Sequence, residues 1–349
     1  MWLCRIRGER REMDSERASE RVTARRRLFI KLTKFSEFGI FIFIVLLVII
    51  VSLRSPYFFT LKNFNDILLD ISILFIVATG QMLVILAKGL DLSVGAGVAF
   101  VGMVVALIVS NNWGIPPAVS ILIGMGCGLV CGAFNGLIVS KGRVSPVITT
   151  LGTMSIFRGL AFVVSGGAWV DAVEMPESFK LIARGNILKI PNLIFFMILV
   201  FALFYYFLNY TRTGRYIYAA GSNPSACKII GVSVEKITLL TYSISGILFG
   251  LGGVLWVSRY ASAQSDSAMG FEFVTIAACV IGGVNIAGGS GTLPGLFLGV
   301  LLLGIIINAL NLVRISPFLK LAFQGLVILI AVITNVIVEK RVLKTILSK

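Results

Sequence analysis

Residues 88–97 read KGLDLSVGAG, with some twenty mostly apolar residues before them and a dozen more after. The flanking runs read as helical spans over 67–87 and 94–111, so a carboxylate and three glycines lie between two hydrophobic segments. An ionisable group at the centre of a membrane helix costs roughly 2.5–3.5 kcal/mol on insertion scales, and Asp91 needs a physical reason to be there. Gly89, Gly95 and Gly97 permit a break in the helix, and a break exposes backbone N–H and C=O groups that must find partners. Asp91 and Ser93 supply them as an N-cap for the span that starts near Val94. The functional alternative is that the break lines the path of a polar solute.

Composition agrees with a membrane reading. Of 349 residues, 57% are hydrophobic and 13% charged, and mean hydropathy is +0.97. A soluble domain carries about twice that share of charge. The runs are continuous and do not alternate as barrel strands must. The expected fold is an all-α, polytopic transmembrane helix bundle of about ten spans: 38–53, 67–87, 94–111, 117–140, 147–165, 192–209, 237–258, 271–284, 293–312 and 319–338. Of the 31 Lys and Arg, 22 fall in the segments this drawing puts inside and 8 outside, with Arg158 within a span. Basic residues beside apolar spans stay on the cytoplasmic side. Residues 1–37 and 339–349 are therefore read as cytoplasmic tails of a transmembrane domain over 38–338. The net charge of +15 is assigned to topology and to anionic membrane lipid, with no nucleic-acid partner. The N-terminal stretch lacks the compact apolar core of a cleavable signal, so the first span reads as a retained anchor and Met13 as a possible start. The five cysteines are scattered, and with no His in the chain no metal site is expected.

An internal echo is the most informative pattern. GLDLSVGAG (89–97) aligns with GVNIAGGSG (283–291), matching Gly89 to Gly283, Gly95 to Gly289 and Gly97 to Gly291. Asp91 falls opposite Asn285, and Ala96 opposite Ser290. Transporters are often built from repeats with broken helices at corresponding positions. A second echo, RVSP at 143–146 and RISP at 314–317, cannot keep the same sidedness under the ten-span drawing. In the fourth span Gly124, Gly128, Gly132 and Gly136 line one face, and Gly246 and Gly250 repeat the spacing in the seventh; small residues let helices approach closely in lipid.

Other ionisable groups within spans are Asp70, Arg158 and Glu272. Asp70 and Glu272 lie near span ends and read as interfacial. Arg158 should face the bundle interior, as a structural pair or a pathway residue. The absence of His removes His-based acid–base catalysis, and there is no Gly-Lys dipeptide and hence no phosphate loop. If ATP drives the protein, another chain binds it. The longest cytoplasmic loop, 210–236, holds Pro224 behind Asn223, an acceptable cap for a short helix. Ala226, Ile229 and Ile230 give that helix one apolar side, either as an amphipathic connector or as a dock for a soluble partner.

At this loop Ser225-Ala226-Cys227-Lys228-Ile229-Ile230-Gly231 has the spacing of the E-A-A-x-x-x-G coupling loop of ABC-importer permeases, with Ser225 for Glu and Cys227 for the second Ala. TRTGRYIYAAGSNPSACKIIGVSV, GLDLSVGAG, TTLGTMSIFRGLAFV and AACVIGGVNIAGGSGT together resemble the ribose-type sugar permeases of bacterial ABC importers, from about residue 38 to 338. SGGAWV (165–170) and WVSRYASAQSD (256–266) lean towards rhamnose-type members, with autoinducer-2, ribose and xylose systems open. The resemblance implies a multi-pass subunit of the bacterial plasma membrane that is not itself an enzyme. It implies a second permease chain, an ATPase that carries ATP and Mg, and an extracytoplasmic sugar-binding protein. Ser225, Ala226, Cys227 and Gly231 are then the ATPase-coupling residues. Helix breaks at Gly89, Asp91, Ser93, Gly95, Gly283, Asn285, Gly289 and Ser290 are then candidates for the translocation path, with Arg158 as a possible intramembrane charge. The alternative is an ion-coupled secondary transporter, which also uses repeats and broken helices.

Overall fold

The computed structural model describes residues 38–312, apart from Trp113 and Leu188, and positions 319, 322, 325, 326, 329 and 333. Among them seven helices are long and apolar enough to cross a membrane. These are α2 (Leu61–Leu86), α3 (Val94–Asn111), α4 (Pro117–Ser140), α5 (Pro146–Ser165), α7 (Asn192–Tyr210), α10 (Val234–Tyr260) and α12 (Leu293–Leu312). Two more apolar helices are shorter, α1 (Phe38–Arg54) and α11 (Phe271–Ile281). The polytopic helical fold thus holds, while the span expected over 319–338 lies almost wholly outside the described residues, as does RISP at 314–317. The remaining helices are short: α6 (Glu177–Arg184), α8 (Arg212–Ser222) and α9 (Pro224–Ile229).

Helix ends follow local chemistry. Pro117, Pro146 and Pro224 occupy first-turn positions, where the missing N–H costs nothing. Thr60, Thr211 and Ser233 accept from backbone N–H groups of the first turns of α2, α8 and α10. Gly166 ends α5 in the left-handed conformation, φ 58°.

The bundle is built round α2, which is buried continuously from Ile71 to Ala87. It packs against α7, α10, α11 and α12, while α10 also carries α3 and α4. The α4–α10 seam brings the two glycine stripes together. A Cβ on Gly132 would stand 2.7 Å from the Gly246 Cα, and one on Gly250 would stand 3.1 Å from the Gly128 Cα. The two backbones therefore touch along the stripe, which supplies the dispersion contacts that hold helices together in lipid. By contrast α4, α5 and α7 present apolar outer faces, such as Val130, Val163 and Leu203.

Between α5 and α7 the chain forms a small cap that the sequence reading left as loop. It contains a 3-10 turn (Ala172–Glu174), α6 and a two-residue hairpin, β1 (Asn186–Ile187) with β2 (Ile190–Pro191). α6 buries Phe179, Ile182 and Ala183. Ser258 of α10 fastens it, its Oγ donating to the Phe179 carbonyl (2.8 Å) and accepting from the Ala183 N–H (2.9 Å).

Candidate functional site

The first break begins where α2 ends. Lys88 takes a left-handed conformation, φ 69°. The Lys88 N–H donates to the Ile85 carbonyl (2.8 Å) and the Gly89 N–H to that of Val84 (2.9 Å), which closes the helix with a Schellman pair. The chain then folds back beside the helix it has left. Asp91 arrives at Ser245, the residue whose Cα would stand 2.9 Å from a Cβ on Gly80, and so lies well above the end of α2.

Asp91 and Ser93 are fully buried. Asp91 Oδ1 accepts from the Ser93 N–H (3.0 Å) and from Ser93 Oγ (2.6 Å). Ser245 Oγ donates to Oδ2 at 3.5 Å, and Asn135 Nδ2 donates to Ser93 Oγ at 2.8 Å. The Leu90 carbonyl accepts from the Tyr242 hydroxyl (3.0 Å) and from Thr150 Oγ1 (3.2 Å). The expected N-cap is corrected in detail. Ser93 holds the cap position in a helical conformation, φ −85°, and makes no side-chain cap bond. Asp91 instead closes an Asx turn two residues long, and side chains of α4, α5 and α10 supply the other bonds. Helix α3 then starts with Gly95 pressed against the segment that leads into α11, where a Cβ would stand 2.7 Å from the Ala268 carbonyl oxygen.

The second break uses the same two devices in a looser form. Gly283 (φ 81°) donates to the Val280 carbonyl at 3.0 Å and Val284 to that of Cys279 at 2.9 Å, again a Schellman pair. Asn285 Oδ1 accepts from the Ala287 N–H at 2.9 Å, again an Asx turn. Asp91 and Asn285 therefore play matching local roles, as their alignment suggested. The glycines do not correspond. Gly95 and Gly97 are helical, whereas Gly288, Gly289 and Gly291 have φ of 88°, 74° and 150° and form an open loop before α12. Ser290 closes that loop, its carbonyl accepting from the Asn285 N–H at 2.9 Å.

The two breaks meet the 210–236 loop at one junction. The Gly289 N–H donates to the Leu86 carbonyl at 2.9 Å. A Cβ on Gly289 would stand 2.7 Å from the Ser222 N, one on Gly221 would stand 2.6 Å from the Gly289 N, and one on Gly288 would stand 3.2 Å from the Lys88 N. Tyr218 donates its hydroxyl to the Gly291 carbonyl at 2.9 Å. The end of α2, the end of α8 and the second break thus lie backbone against backbone, with no side chain between to absorb a displacement.

One residue beyond this junction α9 begins. Asn223 Oδ1 caps it by accepting from the Ala226 N–H at 3.0 Å, as the sequence anticipated. Gly231 (φ 76°) ends it with a third Schellman pair, Gly231 N–H to the Lys228 carbonyl (3.2 Å) and Val232 N–H to that of Cys227 (2.9 Å). Cys227 is buried, while Ser225, Ala226, Ile229 (87% exposed) and Ile230 (69%) face outward. An apolar helical side left open in this way suits a protein partner.

Of the remaining charges, Arg158 Nη1 donates to the carbonyls of Ser265 and Ser267, both at 2.8 Å, and the residue is half-buried. Glu272 departs from its interfacial reading, while Asp70 stays exposed. Asp70 forms an ion pair with Arg259, which also donates to the Leu69 carbonyl at 2.6 Å. Glu272 is 6% exposed because the segment before α11 descends into the bundle, so α11 starts inside it. Asn135, Tyr218, Gly221, Tyr242 and Ser245 carry the junction and the Asp91 site, yet the sequence reading passed over them. For Asn135 a signal existed, an amide within the glycine stripe of α4.

Residues 63–332 match the family model described as "Branched-chain amino acid transport system / permease component". The chain belongs to this family. It is 39% identical over 294 residues to the ribose import permease protein RbsC of Escherichia coli K12, covering 84% of this chain and 91% of that one. The RbsC of Bacillus subtilis 168 is 39% identical over 300 residues, 86% and 92% of the two chains. The L-arabinose transport system permease protein AraH of E. coli K12 is 32% identical over 300 residues, 85% and 89%. No solved structure matches the chain. This permease component is a transport subunit and not an enzyme.

Proposed function

We propose that the chain is the membrane-spanning permease subunit of an ATP-driven importer for ribose or a related monosaccharide in the bacterial plasma membrane. The sugar class rests on relatives named for ribose and L-arabinose that match most of the chain. The observation that carries the mechanism is the backbone junction of Leu86, Gly221 and Gly289 directly behind α9. A cytoplasmic ATPase docks on Ser225, Ala226, Ile229 and Ile230, and ATP with Mg is held on that partner. Its closure displaces α9, and α8 passes the displacement to the second break and the end of α2 without slack. Two permease chains of about ten spans each, all termini cytoplasmic, alternate between outward and inward access. An extracytoplasmic binding protein delivers and selects the sugar.

The test is reconstitution in proteoliposomes with the cognate ATPase and binding protein, following uptake of labelled ribose. ATP-dependent entry that needs both partners is expected. Equal entry without the ATPase, collapsing with an ion gradient, would establish the ion-coupled alternative instead.

A further inference from the structure

The end of α7 carries a graded surface. Its outward face is apolar along most of its length, at Ile198, Leu199 and Leu203. Within one turn it becomes aromatic and polar: Tyr206 and Tyr210 are each 63% exposed, with their rings stacked at 5.5 Å. Two residues later α8 begins, and it turns Arg212, Arg215 and Tyr216 outward. Four of the eight tyrosines are exposed within 205–216. Such clustering marks a membrane interface, where a ring with one apolar end and one wet end is favoured. The corner is stiff. Thr211 Oγ1 donates to the Phe207 carbonyl (2.6 Å) and accepts from the Gly214 N–H (3.0 Å). A Cβ on Gly214 would stand 2.7 Å from the Leu208 Cα, so the two helices meet backbone against backbone.

Length fixes the depth of this corner. The 19 residues of α7 span about 28 Å, close to the roughly 30 Å of a hydrocarbon core. With the tyrosines at its boundary, Arg212 and Arg215 stand level with lipid phosphates. They lie three residues apart on the outward side of α8. Among the described residues neither guanidinium has an ion pair. Residues 210–236 contain one acid, Glu235, against four Lys and Arg. Two fixed cations beyond an exposed apolar stripe complement a phosphodiester that carries acyl chains. A free anion would leave the stripe and the stacked rings unused. Lys141 and Arg143 also stand exposed beyond a span, at the end of α4, yet no tyrosine flanks them in sequence.

We propose that the α7–α8 corner binds one anionic phospholipid, with Arg212 and Arg215 on its phosphate, Tyr206 and Tyr210 at glycerol level and an acyl chain along Leu199 and Leu203. Arginine suits this place, because its planar fork meets two phosphate oxygens at once and keeps its charge. From this corner α8 leads to Gly221 at the junction and on to α9. The bound lipid therefore steadies the arm that carries the junction. The site itself rests on the membrane reading alone, while its effect on transport rests on the importer reading above.

The test is native mass spectrometry of the full importer in detergent, titrated with phosphatidylglycerol or with phosphatidylcholine. Arg212→Gln with Arg215→Gln should weaken retention of one phosphatidylglycerol per permease chain about thirtyfold, roughly fivefold for each basic residue beside anionic lipid. Phosphatidylcholine retention should not change. Lys141→Gln with Arg143→Gln removes the same charge at another span end and should retain phosphatidylglycerol as the unsubstituted chain does. Unchanged retention in the first variant, or equal loss in both, would overturn the site. Displacement of the lipid by millimolar inorganic phosphate would overturn it in favour of a free-anion site. Loss of the ATPase from the first variant with its phosphatidylglycerol intact would give the corner to the ATPase instead. In proteoliposomes, phosphatidylglycerol should raise ATP-driven uptake severalfold over phosphatidylcholine alone, and the first variant should lose that response. An undiminished response would overturn the effect on transport. Lipid retention needs neither ATP nor sugar, so its failure is distinguishable from failure of the importer reading.

Discussion

The two helix breaks are built from the same parts and differ in what surrounds them. Each ends its helix with a Schellman pair and then turns on an Asx residue, Asp91 in one and Asn285 in the other. Around Asp91 the neighbours are side chains of α4 and α10, and every atom is buried. Around Asn285 the loop is half-exposed and its neighbours are backbone, the ends of α2 and α8. A break enclosed by hydrogen-bonded side chains is a fixed anchor. Under the proposed mechanism, a break lodged between two backbones is where displacement enters, because it has contact on both sides and little side-chain packing to resist sliding.

Substitution can break that contrast most forcefully at the junction itself. Gly221→Val places a branched side chain where the Leu86 carbonyl and the Gly289 N–H already meet. No reorientation relieves a clash with two backbones, so near-complete loss of sugar uptake is expected, with reduced insertion read by immunoblot of membranes. The opposite arm is Asp91→Ala. It strands the Ser93 N–H and hydroxyl in the interior, each at about 1–3 kcal/mol for a buried donor that has lost its acceptor. A fall in the thermal midpoint of the purified complex should reveal it, and wild-type stability would make the first break incidental.

A third change separates coupling from folding. Ile229→Asp with Ile230→Asp alters only exposed side chains, so the melting temperature should hold. ATPase capture by the permease in a pull-down should fall by at least about tenfold, or roughly 1.4 kcal/mol. Gly231→Ala is milder, costing about 1 kcal/mol because alanine resists the left-handed conformation at the end of α9. It should lower ATP-driven uptake severalfold. The smallest effect is expected from Asn285→Ala. Its turn is half-exposed and water replaces the lost acceptor, so the complex should lose no more than about 1 kcal/mol in a denaturation midpoint. Equal losses for Asn285→Ala and Asp91→Ala would dissolve the contrast between the two breaks.

Some of this was legible before any coordinates. The glycine stripes of α4 and α10 could be read because glycines spaced four apart must fall on one helix face, though not that the two stripes meet. The cap of α9 could be read because Asn-Pro is a local signal and needs no distant partner. The pairing of Asp91 with Asn285 was likewise visible as an alignment. The glycine correspondence misled in part, since glycine signals either a left-handed turn or a close approach and the letter does not say which. Gly289 does both, while Gly95 does only the second. The burial of Glu272 was not legible for a related reason: position along a span does not reveal whether the next segment leaves the bundle or descends into it.

The sequence by itself determined that this chain is a polytopic helical membrane protein and where its helices break, because hydrophobic length and turn chemistry act over a few residues. It also determined the family, through motifs that recur along most of the chain. Only the tertiary structure decided which break is sealed and which adjoins α8, because contacts such as Gly289 with Leu86, about two hundred residues apart in sequence, depend on how all the helices pack at once. It alone showed that KGLDLSVGAG holds its carboxylate in a closed interior.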